Sequence, residues 1–126
     1  MMINKEDANI LIVDDIEDNR YTLERRLKRD GYTNIFTAEG GKTALEMAAD
    51  NNFDIILLDL MMPDMSGLEV LKYLKGDPMQ RSIPVIMVTA SDEVETAAEC
   101  IINGADDFIT KPFNGTLLKA RVGASL

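Results

Sequence analysis

The sequence predicts a single α/β domain built on a parallel five-stranded sheet. Two observations carry that prediction, and a third points to a site. Strand-like and helix-like segments alternate from end to end, giving five β-α units joined by right-handed crossovers. Ile10–Val13, Ile55–Leu58 and Val85–Val88 are unbroken apolar runs, the pattern of strands buried on both faces of a parallel sheet. These runs end in polar residues: Asp14-Asp15, Asp59 and Thr89, with a shorter segment, Phe108-Ile109-Thr110, ending in Lys111. Parallel strands share one carboxyl edge. Three carboxylates, a hydroxyl and an ammonium are therefore predicted to meet in a crevice where open α/β sheets bind ligands.

The elements follow in order. A strand over Asn9–Val13 leads into a helix over Ile16–Asp30, with Ile16, Leu23 and Leu27 on one face and Gly31 fitting the left-handed position that ends a helix. A short strand spans Asn34–Thr37, and Ala44, Leu45, Ala48 and Ala49 mark the second helix. The third strand is Asp54–Leu58. Pro63, Ser66 and Gly67 form a loop, and Leu68, Leu71 and Leu74 mark a third helix stopped by Gly76-Asp77-Pro78. Pro84 opens the fourth strand, a position proline tolerates. Val94, Ala97, Ala98 and Ile101 form a fourth helical stripe ended by Asn103-Gly104. A last strand over Asp106–Ile109 precedes a helix from Phe113 onward.

Length and composition narrow the function. The chain of 126 residues fits one core. Its net charge of −9 repels phosphate backbones and anionic membrane surfaces, which argues against direct nucleic-acid or membrane binding. No apolar stretch approaches the ~20 residues of a membrane span, and no basic segment with an apolar core opens the chain as a secretory signal, so a cytoplasmic location is expected. The single cysteine, Cys100, permits no internal disulfide and reads as a small buried hydrophobe beside Ala97 and Ile101. The chain has no histidine, which excludes Ser-His-Asp triads and HExxH zinc sites.

The remaining chemistry belongs to carboxylates, a hydroxyl, a lysine and a metal. Asp14, Asp15 and Asp59 held together repel one another unless a cation joins them. Mg²⁺ suits such a set, because it takes oxygen ligands and bridges to phosphate. Neither acidic stretch supplies the calcium loop pattern. Thr89 and Lys111 are the groups a phosphoryl oxygen needs. An aspartate can itself accept a phosphoryl group as a mixed anhydride, and Asp59, between the acidic pair and the Thr/Lys side, is the best-placed nucleophile. Singly, each has a plainer reading: Asp15 as a helix cap, Thr89 as a strand residue, Lys111 as a surface charge.

Asp14-Asp15, Asp59 within Leu-Leu-Asp-Leu-Met-Met-Pro-Asp-Met-Ser-Gly, Val88-Thr89-Ala90 and Lys111-Pro112-Phe113 together resemble a two-component response-regulator receiver domain. The resemblance runs from about Ile10 to Val122. It implies a flavodoxin-like (βα)5 three-layer sandwich with sheet order 2-1-3-4-5. It also implies Asp59 as phosphoacceptor, and Mg²⁺ held by Asp14 or Asp15, Asp59 and the backbone carbonyl of Met61. Thr89 and Lys111 would hold the phosphate, Thr89 and Phe108 would act as switch residues, and Lys111-Pro112 would be a cis peptide. Met61 and Ser91 would tune phosphate lifetime; bulky, apolar Met61 predicts slow self-dephosphorylation. The donor would be a sensor histidine kinase or phosphotransfer protein. The face of the fourth helix, fifth strand and fifth helix would be read by an output domain or partner. Such a chain is a switch and not an enzyme in the ordinary sense, either standing alone or forming the N-terminal part of a longer regulator.

Two rival readings fit less well. Gly41-Lys42-Thr43 suggests a phosphate loop, but that pattern needs glycine where Phe36 stands. A haloacid-dehalogenase-type aspartyl-phosphate phosphatase shares Asp, Thr, Lys and Mg²⁺, but its acid/base aspartate aligns with Met61. In receivers of DNA-binding regulators the last three elements pair through salt bridges. Asp107 and Arg121 match one pair, whereas Leu117 replaces the usual glutamate and the fourth helix carries no Lys or Arg. The final segment Leu117–Val122 resembles receivers joined to signalling enzymes such as cyclases, phosphatases or kinases.

Overall fold

A computed structural model describes residues 3–126, with the side chain of Ser91 outside the described set. Five strands, β1 (Asn9–Val13), β2 (Asn34–Ala38), β3 (Ile55–Asp59), β4 (Val85–Ala90) and β5 (Asp107–Lys111), alternate with helices α1 (Glu17–Arg29), α2 (Gly41–Asp50), α3 (Gly67–Gly76), α4 (Val94–Ile102) and α5 (Gly115–Ser125). A 3-10 turn, Ser91–Glu93, precedes α4. The sheet order is β2-β1-β3-β4-β5, and every pairing is parallel. This is the flavodoxin-like architecture that the resemblance implied.

Side chains alternate along each strand, so the apolar runs feed two cores. Leu11, Val13, Ile56, Leu58, Val85 and Met87 meet buried residues of α2, α3 and α4 on one face. Ile10, Ile12, Ile55, Leu57, Ile86 and Val88 meet Leu23 and Leu27 of α1 and Leu118 and Val122 of α5 on the other. The register brings the strand ends level. Val13 pairs with Leu58, Asp59 with Val88, and Ala90 with Lys111. The polar residues following the apolar runs therefore emerge on one edge.

Some boundaries differ from the sequence reading. Ile16 lies before α1 in extended conformation and is 51% exposed, because the helix starts at Glu17. β3 and β5 each extend further towards their carboxyl ends, to Asp59 and Lys111. α4 turns Ala97 and Cys100 inward, while Val94, Ala98 and Ile101 face solvent. Val94, Ala97, Ala98, Cys100, Ile101 and Ile102 surround this short helix, so hydrophobicity alone does not set its phase. Ala49 of α2 is likewise exposed. α5 begins at Gly115, not Phe113, because the Asn114 side chain accepts hydrogen bonds from the backbone N–H groups of Thr116 and Leu117. Gly31 and Gly104 adopt φ of +104° and +111°, each just after a helix.

Candidate functional site

The strand ends gather the predicted carboxylates. Asp14 at 1% and Asp59 at 4% exposure are almost withdrawn from water, and Asp15 is more open. One carboxylate oxygen from each of Asp14, Asp15 and Asp59 lies within 4.8 Å of the others. Lys111, the last residue of β5, reaches across β4 to both buried carboxylates. Its Nζ donates to Asp59 Oδ1 at 3.0 Å and lies 3.4 Å from Asp14 Oδ2. Asp14 is fixed by its surroundings. Its Oδ1 accepts from the Ile16 backbone N–H at 2.9 Å and from Asn19 Nδ2 at 3.4 Å, and Arg20 Nη1 donates to its backbone carbonyl at 2.8 Å. The Asp14 side chain thus bonds to the entry of α1, and no side chain caps that helix at Ile16.

Three carboxylates face one ammonium. Burial, then the Asp14 and Asp15 charges, push the Asp59 carboxyl from an ordinary 3.8 to about 6, although the Lys111 hydrogen bond and charge pull the other way. Burial alone would lower the Lys111 ammonium, but Asp59 and Asp14 outweigh it and hold it above its usual value. Asp14 Oδ2 is buried within ion-pair distance of Lys111 yet accepts no hydrogen bond. An oxygen-only donor set with surplus negative charge and an oxygen free of hydrogen bonds fits a hard divalent cation such as Mg²⁺.

Of the other predicted residues, Thr89 lies near the carboxyl end of β4 and Phe108 within β5. Thr89 is buried at 1%, and its hydroxyl donates to the Ala90 carbonyl at 3.2 Å rather than to Asp59. Met61 is 60% exposed. Phe108 is half-buried against the core beneath α2, α3 and α4. The Lys111-Pro112 peptide is cis. Arg121 and Asp107 form an ion pair. The Ser91 side chain lies outside the described residues.

Asp64, missed as an individual contributor, links the loop after β3 to α2. It accepts from the backbone N–H groups of Gly41 at 3.2 Å and Lys42 at 3.0 Å. Those bonds, led by Lys42, hold its carboxyl below the ordinary value. A signal was present: α2 starts after Gly40, which has no capping side chain, so the cap had to come from elsewhere. Asp64 also occupies the helix end that a phosphate loop at Gly41-Lys42-Thr43 would need. Gly67 is equally specific to this loop. Its N–H donates to the Leu60 carbonyl at 2.7 Å, and a Cβ at 67 would overlap the Asp59 carbonyl.

With this geometry in place, residues 10–123 match the response regulator receiver domain. Over 115 residues the chain is 49% identical to the response regulator PleD of Caulobacter vibrioides, covering 91% of this chain and 25% of that protein. It is 37% identical to the chemotaxis protein CheY of Pseudomonas aeruginosa, covering 90% and 91% of the two chains. The chemotaxis protein CheY4 of Vibrio cholerae superposes with a TM-score of 0.86 at 32% identity, covering 94% of this chain and 98% of that one. The chain therefore spans about a quarter of PleD and nearly all of the CheY proteins.

Proposed function

The chain belongs to the response regulator receiver family, and from that premise we propose that Asp59 accepts a phosphoryl group from a phosphohistidine on a sensor histidine kinase or phosphotransfer protein. The observation that carries the reading is Lys111 Nζ held between Asp59 and Asp14 at the edge shared by three strands. A carboxyl at about 6 is mostly ionised at neutral pH and ready to attack. A carboxylate oxygen of Asp59 forms the new P–O bond as the P–N bond breaks. The electron pair leaves with the imidazole, which is protonated from solvent.

Asp14, Asp15, Asp59 and the Met61 backbone carbonyl would hold Mg²⁺, which supplies positive charge for phosphoryl oxygens. Lys111 keeps its proton and neutralises a further oxygen. The Thr89 hydroxyl exchanges its Ala90 carbonyl partner for a phosphoryl oxygen, and Phe108 turns into the space released. Phosphorylation then shifts a pre-existing two-state balance. The partner or output domain reads the α4-β5-α5 face, where Val94, Ile101, Ile102 and Leu117 are exposed. A signalling-enzyme output suits the segment Leu117–Val122.

Met61 carries no proton donor for a leaving group, so turnover of phosphate esters by a phosphatase mechanism is not expected, and the phosphoryl mark is long-lived. Labelling by acetyl phosphate tests the reading. The wild-type chain incorporates phosphate only with Mg²⁺, and Asp59→Asn incorporates none. Full labelling of Asp59→Asn, or an unchanged rate in chelator, would overturn the acceptor and metal assignments respectively.

A further inference from the structure

Between α1 and α5, away from the carboxylate crevice, lies a cavity of about 340 Å³. Its walls carry Arg25, Arg26 and Arg29 together with Tyr21, Phe113 and Leu118, and no acidic residue lines it. This runs against the composition, because the chain has 22 acidic and 13 basic residues. Among the described residues, none of these arginines forms an ion pair; Glu24, on the same helix, pairs with Lys28 instead. Like charges three and four positions apart weaken a helix. The helix dipole offsets part of this for Arg26 and Arg29 in the last turn, but not for Arg25.

Arg26 carries the second observation. Its Nε is buried without a hydrogen-bond partner. Its guanidinium lies over Gly115, where any Cβ would overlap it, so the first residue of α5 leaves the space that Arg26 fills. Guanidinium groups gathered at a concave site match phosphate oxygens. Tyr21 and Phe113 add aromatic walls suited to a planar ring. The cavity volume falls at the lower end for small-molecule sites, roughly 300–1,000 Å³. The cleft is open to solvent on one side, with Tyr21 62% exposed and Arg25 and Arg29 at exposed positions. Guanidinium groups beside aromatic rings in so small a volume suit a nucleotide, and an acidic helix is the alternative that the polyglutamate probe tests.

We propose that the α1–α5 cleft binds a purine nucleotide, its phosphate on Arg25, Arg26 and Arg29 and its base against Tyr21 and Phe113. The site does not depend on the phosphoacceptor reading. The test is amide NMR titration of the full chain, without Mg²⁺, using GMP, AMP, inorganic phosphate, guanosine and a polyglutamate peptide as separate probes. At least one nucleotide should shift amides within Tyr21–Arg29 and Gly115–Leu118 in a saturable way. Inorganic phosphate and guanosine should each bind at least about tenfold more weakly. Arg25→Ala/Arg29→Ala, both at exposed positions, should raise the nucleotide Kd about tenfold or more. Gly115→Ala, which displaces Arg26, should weaken binding as well. Equal affinity for phosphate and nucleotide, shifts only elsewhere, an unaffected double variant, or binding of polyglutamate alone would overturn the proposal. Acetyl phosphate labelling of the wild-type sample reports separately on Asp59, so failure of one reading is distinguishable from failure of the other.

Discussion

Replacing Asp59 with asparagine should stabilise the protein in chelator at neutral pH. Asp59 is 4% exposed, and its carboxyl is raised from 3.8 to about 6, chiefly by burial and then by Asp14 and Asp15. At about 1.4 kcal/mol per pH unit, that difference costs the folded state about 3 kcal/mol once Asp59 is ionised. Asparagine removes the cost but also removes the charge-assisted bond to Lys111. With that loss and solvent screening, the net gain should be roughly 1–2 kcal/mol, a shift of ~0.5–1 M in the urea midpoint. The sign of the pH dependence follows from the raised value. Between about 6 and 3.8 the folded state holds more protons at this site than the unfolded state. The Asp59 contribution to wild-type stability therefore improves as pH falls through that window, and the gap to Asp59→Asn closes. Urea unfolding across this range, followed by circular dichroism in chelator, measures it. A variant no more stable than wild type at neutral pH, or a gap that ignores pH, would refute the reasoning.

Lys111→Met removes the ammonium facing Asp14 and Asp59; we expect a loss of about 1–3 kcal/mol in urea unfolding in chelator and acetyl phosphate labelling slowed about tenfold or more. Asp64→Ala removes two bonds to the start of α2 and should cost about 1 kcal/mol at neutral pH. Because the Asp64 carboxyl is held below 3.8, its contribution is present above that value and lost as pH falls through the depressed one, so the urea-midpoint difference should shrink in strong acid. Gly67→Ala places a methyl against the Asp59 carbonyl and should cost roughly 1–3 kcal/mol in thermal unfolding.

The sheet was legible because buried parallel strands need uninterrupted apolar runs, and Ile55–Leu58 admits no other comfortable place. The meeting of Asp14, Asp59 and Lys111 was legible for the same reason: the polar residue after each run emerges at the carboxyl edge once the register is level. What escaped was set by contacts between distant segments. The phase of α4 is set by its packing on the sheet: Ala97 and Cys100 turn inward while the equally small Ala98 faces solvent, so neither size nor hydropathy reveals it. Asp64 caps a helix 22 residues earlier in the chain, which no local window reveals. Arg20 holds Asp14 through its backbone carbonyl, an atom every residue possesses. The Thr89 hydroxyl bonds the neighbouring Ala90 carbonyl, a local choice that no sequence pattern announces.

The acceptor assignment is tested most directly by trapping the acyl phosphate. After reaction with acetyl phosphate and Mg²⁺, borohydride reduces an aspartyl phosphate to homoserine, and peptide mass mapping locates the modified residue. The account predicts homoserine at position 59 alone. Homoserine at Asp14 or Asp15, or none in a chain that has taken up phosphate, would contradict it.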